Sequence, residues 1–227
     1  MGRSVFYQAM PATSDARKLF TEKHATYARF FGLVRYRHGI RAFFLRSPLL
    51  RSGLRVLDAG SGTGVVTLAL LDALNQRRLT RGTMHAFDLT PAMLERFQRT
   101  LECQDIEGVE LTQANVLELE GLPDTWTQYD LIVTASMLEY VPRNRFADAL
   151  SGLRERLRDD GRLVLFITKR NLLTRLMIGQ WWQSNLYNKE ELRGAFRRAG
   201  FSEASFSAFP LAARYLAAWG YIIEARK

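Results

Sequence analysis

Short apolar runs alternate with longer segments of helical periodicity from residue 55 onward, and this alternation restricts the chain to few architectures. The apolar runs predict five strands, at 55–60, 83–89, 109–116, 129–136 and 162–169. The helical patterns between them are clearest at 64–78, 91–103 and 143–157. A further helix and two strands are predicted towards the end, in "NKEELRGAFRRAG", "EASFSAF" and "GYIIEARK". Strands that are separated by helices in this way form a mainly parallel sheet covered on both faces.

The length and composition of the chain favour a single domain. A chain of 227 residues, of which 47% are hydrophobic, can bury one sizeable core without dividing. We expect this domain, 1–227, to have four parts: a helical N-terminal cap (1–54), a central core (55–170), a lid or insertion (171–187) and a C-terminal helix with strands (188–227).

Cysteine and histidine usage indicates a reducing compartment without a metal centre. Cys103 is the only cysteine, and the three histidines, His24, His38 and His85, show no CxxC or HxxxH spacing. The N-terminus has no apolar core of signal-peptide length, and the longest apolar stretches are too short to span a bilayer. We therefore expect a cytoplasmic protein that holds no metal ion.

The net charge of +9 is concentrated at the front of the sequence. Residues 1–55 contain eleven Lys or Arg against only Asp15 and Glu22, whereas the rest of the chain is balanced. Aromatic residues are interleaved with these charges at helical spacing. Two interpretations stay open: either the aromatics pack against the main domain and the arginines are solvated, or the basic helices contact an anionic membrane, a nucleic acid or an acidic substrate.

The first predicted strand ends in a glycine-rich turn, "VLDAGSGTG" at 56–64, that leads directly into a helix. Gly60, Gly62 and Gly64 let bare backbone approach a ligand, and the helix N-terminus offers unpaired N–H groups. A dinucleotide site requires GxGxxG or GxGxxA, whereas the sixth position of "GSGTGV" is Val65. The spacing of the glycines therefore does not fit NAD and favours an adenosyl cofactor. Glycine-rich turns also form for packing reasons alone.

Two aspartates flank this turn at the ends of predicted strands. Asp88 ends the second strand, where a carboxylate can accept two hydrogen bonds from a ribose diol. The alternative is that Asp88 caps the next helix, but Thr90, directly before Pro91, already fits the N-cap position. Asp58 lies two residues before Gly60, which suits an amino group or the waters around one.

Several segments follow one another in the order and at the spacing of a known family. They are "VLDAGSGTG", "AFDLTPAMLERF", "QANVLELEGLP", "YDLIVTASMLEYV", "LRDDGRLVLF" and "YNKEELRGAFRRAGF". Together they resemble the motifs of the class I S-adenosylmethionine-dependent methyltransferases, closely over 55–170 and loosely beyond. The resemblance implies a Rossmann-like, doubly wound, mainly parallel seven-stranded sheet with an antiparallel C-terminal strand. It also implies S-adenosyl-L-methionine as the cofactor.

The resemblance further implies where this cofactor binds. The glycines would line its methionine and ribose portions, Asp88 would bind the ribose hydroxyls and Leu89 would lie against the adenine. Asn115 stands where the family usually has an aspartate that reaches the adenine amino group, and an amide oxygen can accept the same bond. The full implied set is Asp58, Gly60, Ser61, Gly62, Gly64, Asp88, Leu89, Asn115, Val116, Ser136, Met137 and Tyr27.

The sequence assigns no general base. A sulfonium is already an activated methyl donor, so the protein chiefly aligns a nucleophile and excludes water. A base is needed only for a hydroxyl or an acidic carbon. The candidates are Glu139, Tyr140 and His24, and many relatives have a histidine where Tyr140 stands. His24 has the alternative role of an ordinary core residue on an apolar helical face.

A small, hydrophobic or aromatic molecule is the predicted methyl acceptor. No Asn-Pro-Pro-Tyr follows the fourth strand, and Glu139 has no companion acid in its loop, so base-methylating and protein-arginine enzymes are disfavoured. The front of the chain, "HATYARFFGLVRYRHGIRAFF", is loosely similar to the segment that folds over the cofactor in quinone and small-molecule methyltransferases. The insertion "NLLTRLMIGQWWQSNLY" suits a pocket lid or an interfacial patch, or else packs on the sheet edge.

Two alternative functions and one further contact stay open. The basic N-terminal segment would also serve an RNA-directed methyltransferase, although nucleic acid is the less favoured partner. A non-catalytic module that binds the cofactor or a partner protein is the second alternative. Peripheral contact with an anionic membrane is a further expectation, and the sequence predicts no oligomeric state.

Overall fold

The computed structural model describes residues 36–170 and 185–227, and its centre is a seven-stranded sheet. The strands are Val56–Ala59 (β1), Met84–Asp88 (β2), Val109–Gln113 (β3), Tyr129–Ala135 (β4), Leu157–Thr168 (β5), Glu203–Ser207 (β6) and Gly220–Arg226 (β7). The α-helices are Tyr36–Arg46 (α1), Val65–Gln76 (α2), Pro91–Cys103 (α3), Phe146–Arg156 (α4) and Lys189–Arg198 (α5). A 3-10 helix, Leu211–Ala218, joins β6 to β7.

The strand order is β3-β2-β1-β4-β5-β7-β6, which confirms the predicted fold class. Strands β1 to β5 pair in parallel, and β7 is inserted antiparallel to both β5 and β6. The chain leaves β1 in one direction towards β3 and returns to the other side of β1 with β4. In open α/β sheets, such a switch point at the carboxyl ends of the strands is where ligands bind.

Two large apolar clusters, one on each face, hold the helices to the sheet. Leu57 and Ala59 of β1 belong to the cluster that includes α4 and α5, whereas Val56 belongs to the cluster that includes α1 and α2. All four residues of β1 are buried. A central strand covered on both faces needs a continuous apolar run rather than an alternating one, which explains "VLDA" with its single buried acid.

The fifth strand differs most from its predicted bounds, because it begins at Leu157 rather than at 162. It therefore includes Gly161, which lies just before the predicted start of the strand. The register between β4 and β5 shifts between Tyr129 and Leu131. A side chain at Gly161 would approach the Tyr129 carbonyl oxygen to 2.7 Å, so this glycine permits a close backbone approach at the irregularity.

Several expectations concern residues 1–35 and 171–184, which lie outside the described residues. They include most of the predicted N-terminal cap and of the lid or insertion. The predicted boundaries of the four parts stay predictions. None of the described helices is long and apolar enough to cross a membrane.

Candidate active site

The glycine-rich turn joins β1 to α2 at the carboxyl edge of the sheet. Gly60, Gly62 and Gly64 have φ angles of 73°, 54° and 84°, a region that glycine adopts without steric cost. The N–H groups of Gly60 and Ser61 both donate to the Phe87 carbonyl oxygen at 2.9 Å. The turn is thereby tied to the end of β2, where Asp88 follows.

The space beside the three glycines is used in two different ways. A Cβ at Gly60 would lie 2.6 Å from Met137 Cβ, and a Cβ at Gly64 would overlap the ring of Phe97. At Gly62, by contrast, no atom of the described residues apart from its two chain neighbours lies within 4 Å of the Cβ position. At Gly60 and Gly64 the protein's own side chains occupy the Cβ direction, which is a packing reason for these two glycines, and their contact with a ligand stays a prediction. Only Gly62 borders open space.

Asp88 is held by backbone donors from two loops. Its Oδ2 accepts from the Gly62 N–H and its Oδ1 from the Thr90 N–H, both at 2.8 Å. Burial raises the pKa of Asp88, and these hydrogen bonds oppose the rise. Thr90 occupies the N-cap of α3 without a side-chain capping bond. The sequence argument that Thr90 spares Asp88 from this end of α3 therefore does not hold, because Asp88 bonds Thr90 directly.

Asp58 is 1% exposed and only half of its carboxyl group is satisfied. Its Oδ2 accepts from the N–H and the hydroxyl of Thr67 at 3.1 and 2.7 Å. Its Oδ1, like the buried Ser61 hydroxyl, finds no hydrogen-bond partner within residues 36–170 and 185–227. Burial raises the pKa of Asp58 to about 7, against the Thr67 bonds that lower it. Buried polar atoms are nearly always paired, so these two are candidates for hydrogen bonds with a ligand or with ordered water.

The backbone just after β4 adopts an unfavourable conformation at Ser136, and hydrogen bonds hold it there. Ser136 has a φ of 53°, a value that is uncommon for a residue other than glycine and that clusters at functional sites. Its N–H donates to the Phe166 carbonyl oxygen at 3.0 Å, and its hydroxyl lies 3.3 Å from the Tyr36 hydroxyl of α1. Sequence reasoning missed Tyr36. No local pattern separates this tyrosine from the other aromatics of the basic front, because its partner is 100 residues away.

The two described base candidates lie in a 3-10 turn after Ser136, Leu138–Tyr140. Glu139 is 2% exposed, and its Oε2 and Oε1 accept from the N–H and hydroxyl of Thr168 at 3.0 and 3.1 Å. Burial raises the pKa of Glu139 to about 7. Burial also raises the pKa of the Tyr140 phenol, with a smaller contribution from Glu139. The third candidate, His24, and the predicted cofactor contact Tyr27 lie outside the described residues.

The residues predicted to face the adenine lie after β2 and β3. The Ala114 N–H donates to the Asp88 carbonyl oxygen at 3.1 Å, which joins the two strand ends. Asn115 Oδ1 accepts from the Leu117 N–H at 3.1 Å, so the amide oxygen keeps one lone pair for another donor. Leu89 is half-buried and Val116 is buried. Across the described ranges, no group of three or more His, Cys, Asp or Glu side chains is placed to hold a metal ion.

The arrangement at the carboxyl edge fits S-adenosylmethionine. At the end of β1 and in the turn that follows, no described side chain fills the space at Gly62, and one buried polar atom each of Asp58 and Ser61 has no partner among the described residues. The acidic groups suit a ligand that carries an ammonium and a sulfonium, and Asp88 keeps lone pairs for a ribose diol. None of these atoms requires a phosphate.

Comparisons with known proteins agree with this fit. Residues 56–161 match a family described as "Methyltransferase domain". A malonyl-[acyl-carrier protein] O-methyltransferase of Acetivibrio thermocellus is 31% identical over 118 residues, which cover 49% of this chain and 34% of that protein. A 2-methyl-6-phytyl-1,4-hydroquinone methyltransferase of rice (Oryza sativa subsp. japonica) is 29% identical over 112 residues, 49% of this chain and 29% of that protein. The match thus spans about a third of the length of these curated relatives.

Among solved structures, magnesium protoporphyrin IX methyltransferase from Synechocystis PCC 6803 with bound S-adenosylhomocysteine aligns with a TM-score of 0.70. The two chains are 19% identical, and the alignment covers 95% of this chain and 100% of the other, so it shows a shared fold. The family match spans β1 to within β5, the part of the sheet that carries the switch point. The chain therefore carries a class I S-adenosylmethionine-dependent methyltransferase domain, and S-adenosylmethionine is the cofactor of this class.

Proposed function

We propose that this chain transfers the methyl group of S-adenosylmethionine to a small apolar or aromatic acceptor. The observation that carries the proposal is the turn after β1, where Asp58 Oδ1 and the Ser61 hydroxyl are buried without a hydrogen-bond partner among the described residues and no described side chain fills the space at Gly62. A turn built only for packing would pair these atoms and would fill this space, as Met137 and Phe97 do at Gly60 and Gly64.

Asp58 and Asp88 have separate binding tasks in this proposal. Asp58 Oδ1 accepts from the ammonium of the methionine portion, while Thr67 holds the other carboxylate oxygen in place. Asp88 binds the ribose diol, and its orientation is set by Gly62 and Thr90. Charge-assisted bonds of this kind are roughly twice as strong as neutral ones, so both aspartates contribute strongly to affinity.

The remaining predicted residues complete the cofactor site. Leu89 and Val116 contact the adenine, and Asn115 accepts from its amino group with the lone pair that Leu117 leaves open. Ser136 and Met137 lie beside the methionine portion, where Met137 packs on Gly60.

S-adenosylmethionine supplies an electrophilic methyl group, and the task of the protein is to align the acceptor and exclude water. Ser136 and the 3-10 turn with Tyr140 face the acceptor in this proposal. Tyr36 closes the same region from α1 through its contact with the Ser136 hydroxyl. No described side chain is assigned as a general base.

Two of the three relatives named above have large apolar or aromatic acceptors in their names, a phytyl hydroquinone and a magnesium porphyrin. This supports an apolar acceptor for the present chain. The lid or insertion, the RNA-directed alternative, the non-catalytic module, the membrane contact and the cytoplasmic location all stay predictions. The segments on which the lid and most of the basic front depend lie outside the described residues.

Calorimetric titration with S-adenosylhomocysteine tests the cofactor part of the proposal. Wild type should bind, and Asp88→Ala should weaken binding about 100-fold, because two hydrogen bonds to a charged group are lost. Asp130→Ala removes a carboxylate at the opposite edge of the sheet and serves as the control, with unchanged affinity expected. A wild-type protein that does not bind S-adenosylhomocysteine contradicts the proposal.

Mass spectrometry of methylated products tests the acceptor part. Purified protein and S-adenosylmethionine are incubated with alkyl hydroquinones, long-chain phenols and a structured RNA transcript. A methylated hydroquinone or phenol supports the proposal. Methylated RNA supports the RNA-directed alternative, and cofactor binding without any product supports the non-catalytic module.

A further inference from the structure

Three chain segments meet at Glu139, at the carboxyl edge of the sheet. Its carboxyl group accepts two hydrogen bonds from Thr168, the last residue of β5. Its main-chain oxygen accepts from the Asn185 N–H at 2.7 Å, and the Asn185 side chain donates to the Val141 carbonyl oxygen at 2.8 Å. The turn after β4 is therefore bonded on one side to the end of β5 and on the other to Asn185, the first residue of the second described range.

Burial of the Glu139 carboxyl group lowers the stability of the fold. It is 2% exposed, and no salt bridge reaches it from the described part of the chain. In the described part of the chain, its charge raises the pKa of three phenols, those of Tyr36, Tyr140 and Tyr187. A buried carboxyl group without a cation lowers stability, so a role beyond packing is the simplest reason for its presence.

The hydrogen bonds of Glu139 hold the nearby Met137, which contacts the glycine-rich turn at Gly60. Met137 lies between two anchored points, Ser136 on the Phe166 carbonyl oxygen and Glu139 on Thr168. Its side chain packs directly on Gly60, as the 2.6 Å approach of its Cβ to a Gly60 Cβ position shows. Ser136 is in a strained conformation that persists only when its surroundings impose it. Release of either anchor would let Met137 leave Gly60.

We propose that Glu139 is a positioning residue, whose carboxyl group holds Met137 against Gly60 and thereby fixes the glycine turn for the cofactor. It acts through Thr168 and Met137 without touching the cofactor or the acceptor. The inference rests on the proposed function only in that this turn binds S-adenosylmethionine. This role differs from that of a general base, because a general base contacts the acceptor and its removal leaves cofactor affinity unchanged.

Calorimetric affinity for S-adenosylhomocysteine tests this inference without any knowledge of the acceptor. Glu139→Ala loses both bonds to Thr168 and should bind about 30-fold more weakly, whereas Thr168→Val loses one and should bind about 5-fold more weakly. The double variant should match Glu139→Ala, because the two groups act as one unit. Glu139→Gln should stay within about 2-fold of wild type, since its amide can accept from the Thr168 N–H and donate to the Thr168 hydroxyl.

Asp130→Ala is the matched control for general destabilisation, because Asp130 is a hydrogen-bonded carboxylate at the other end of the same region of the sheet. It should lower the unfolding temperature and leave the affinity unchanged. The inference is overturned if Glu139→Ala binds like wild type, if Glu139→Gln binds as weakly as Glu139→Ala, or if Asp130→Ala loses affinity to the same degree. If Glu139→Ala does not fold, Thr168→Val decides by the same criteria. A wild-type protein without affinity contradicts the proposed function instead.

Discussion

Carboxylates at the two ends of the parallel strands differ in their partners. The side of the sheet where these strands begin is its amino edge, and the side where they end is its carboxyl edge. At the amino edge, Asp130 accepts from the guanidinium groups of Arg51 and Arg158 at 2.6 and 2.5 Å, and from the Arg55 N–H at 2.7 Å. At the carboxyl edge, no salt bridge within the described ranges reaches the three acids Asp58, Asp88 and Glu139. Burial raises the pKa of each of these three.

This difference indicates that carboxylates at the amino edge stabilise the fold, whereas those at the carboxyl edge serve the binding site. At the amino edge even a histidine has internal partners, since His85 stacks on Trp126 and its Nδ1 lies 2.6 Å from the Tyr129 hydroxyl. At the carboxyl edge, buried negative charge lowers stability, and the ammonium of the proposed ligand would compensate this charge at Asp58. Buried acids with a raised pKa and no salt bridge within the described ranges therefore mark the site better than the mere presence of polar residues does.

The largest expected effect comes from the one glycine that borders open space. Gly62→Ala should weaken S-adenosylhomocysteine binding about 100-fold, because the new methyl group would occupy the place of the ligand. Gly108→Ala is the matched control, since Gly108 also has a positive φ of 70° and open space but lies in the loop before β3. Calorimetry on both variants measures the difference. Equal affinity in the two variants would mean that Gly62 serves only the backbone.

Next in size is the effect on stability of removing one carboxylate from each edge. Asp130→Ala should lower the free energy of unfolding by about 2 kcal/mol, because it removes hydrogen bonds between charged groups whose arginine partners are partly exposed to solvent. Asp58→Asn should leave stability unchanged or raise it at about pH 8, because the amide oxygen still accepts from Thr67 and the buried charge is gone. Denaturant titration measures both. A larger loss in Asp58→Asn than in Asp130→Ala would reverse the comparison.

The sign of the Asp58 effect follows from its pKa. Folding raises this pKa from 3.8 to about 7, so the folded state retains the proton more tightly than the unfolded state. The contribution of Asp58 to stability is therefore fully present below about pH 4 and falls as the pH rises to about 7. Asp58→Asn should remove this fall from the pH profile of unfolding.

The smallest effect is the pH dependence of cofactor binding. The ammonium contact requires the Asp58 carboxylate, so affinity for S-adenosylhomocysteine should fall by up to about tenfold for each pH unit below about 7. Asp58→Asn should bind more weakly at about pH 8 and show a shallower slope, with the remainder due to Asp88. Calorimetry between about pH 6 and pH 8 measures the slopes. Equal slopes in wild type and Asp58→Asn would exclude Asp58 from the ammonium contact.

Much of the fold could be predicted because its signals are local. Apolar runs of strand length, separated by helical periodicity, predicted all seven strands, and the glycine spacing placed the turn at the end of the first one. The boundary of β5 was missed because Gly161 accommodates the neighbouring Tyr129 carbonyl oxygen, which is adjacent only in the folded sheet. The role of Tyr36 was missed for the same reason.

The sequence by itself determined the order of strands and helices, the glycine turn and the acids at the ends of β1, β2 and the turn after β4. These follow from periodicity and backbone conformation, which act over a few residues. Only the tertiary structure decided that Met137 and Phe97 fill the space at two glycines, that Asp58 keeps an unpaired oxygen, and that Glu139 bonds Thr168 across 29 residues. Burial and pairing are properties of the surroundings of a side chain, and those surroundings exist only once distant segments have packed together.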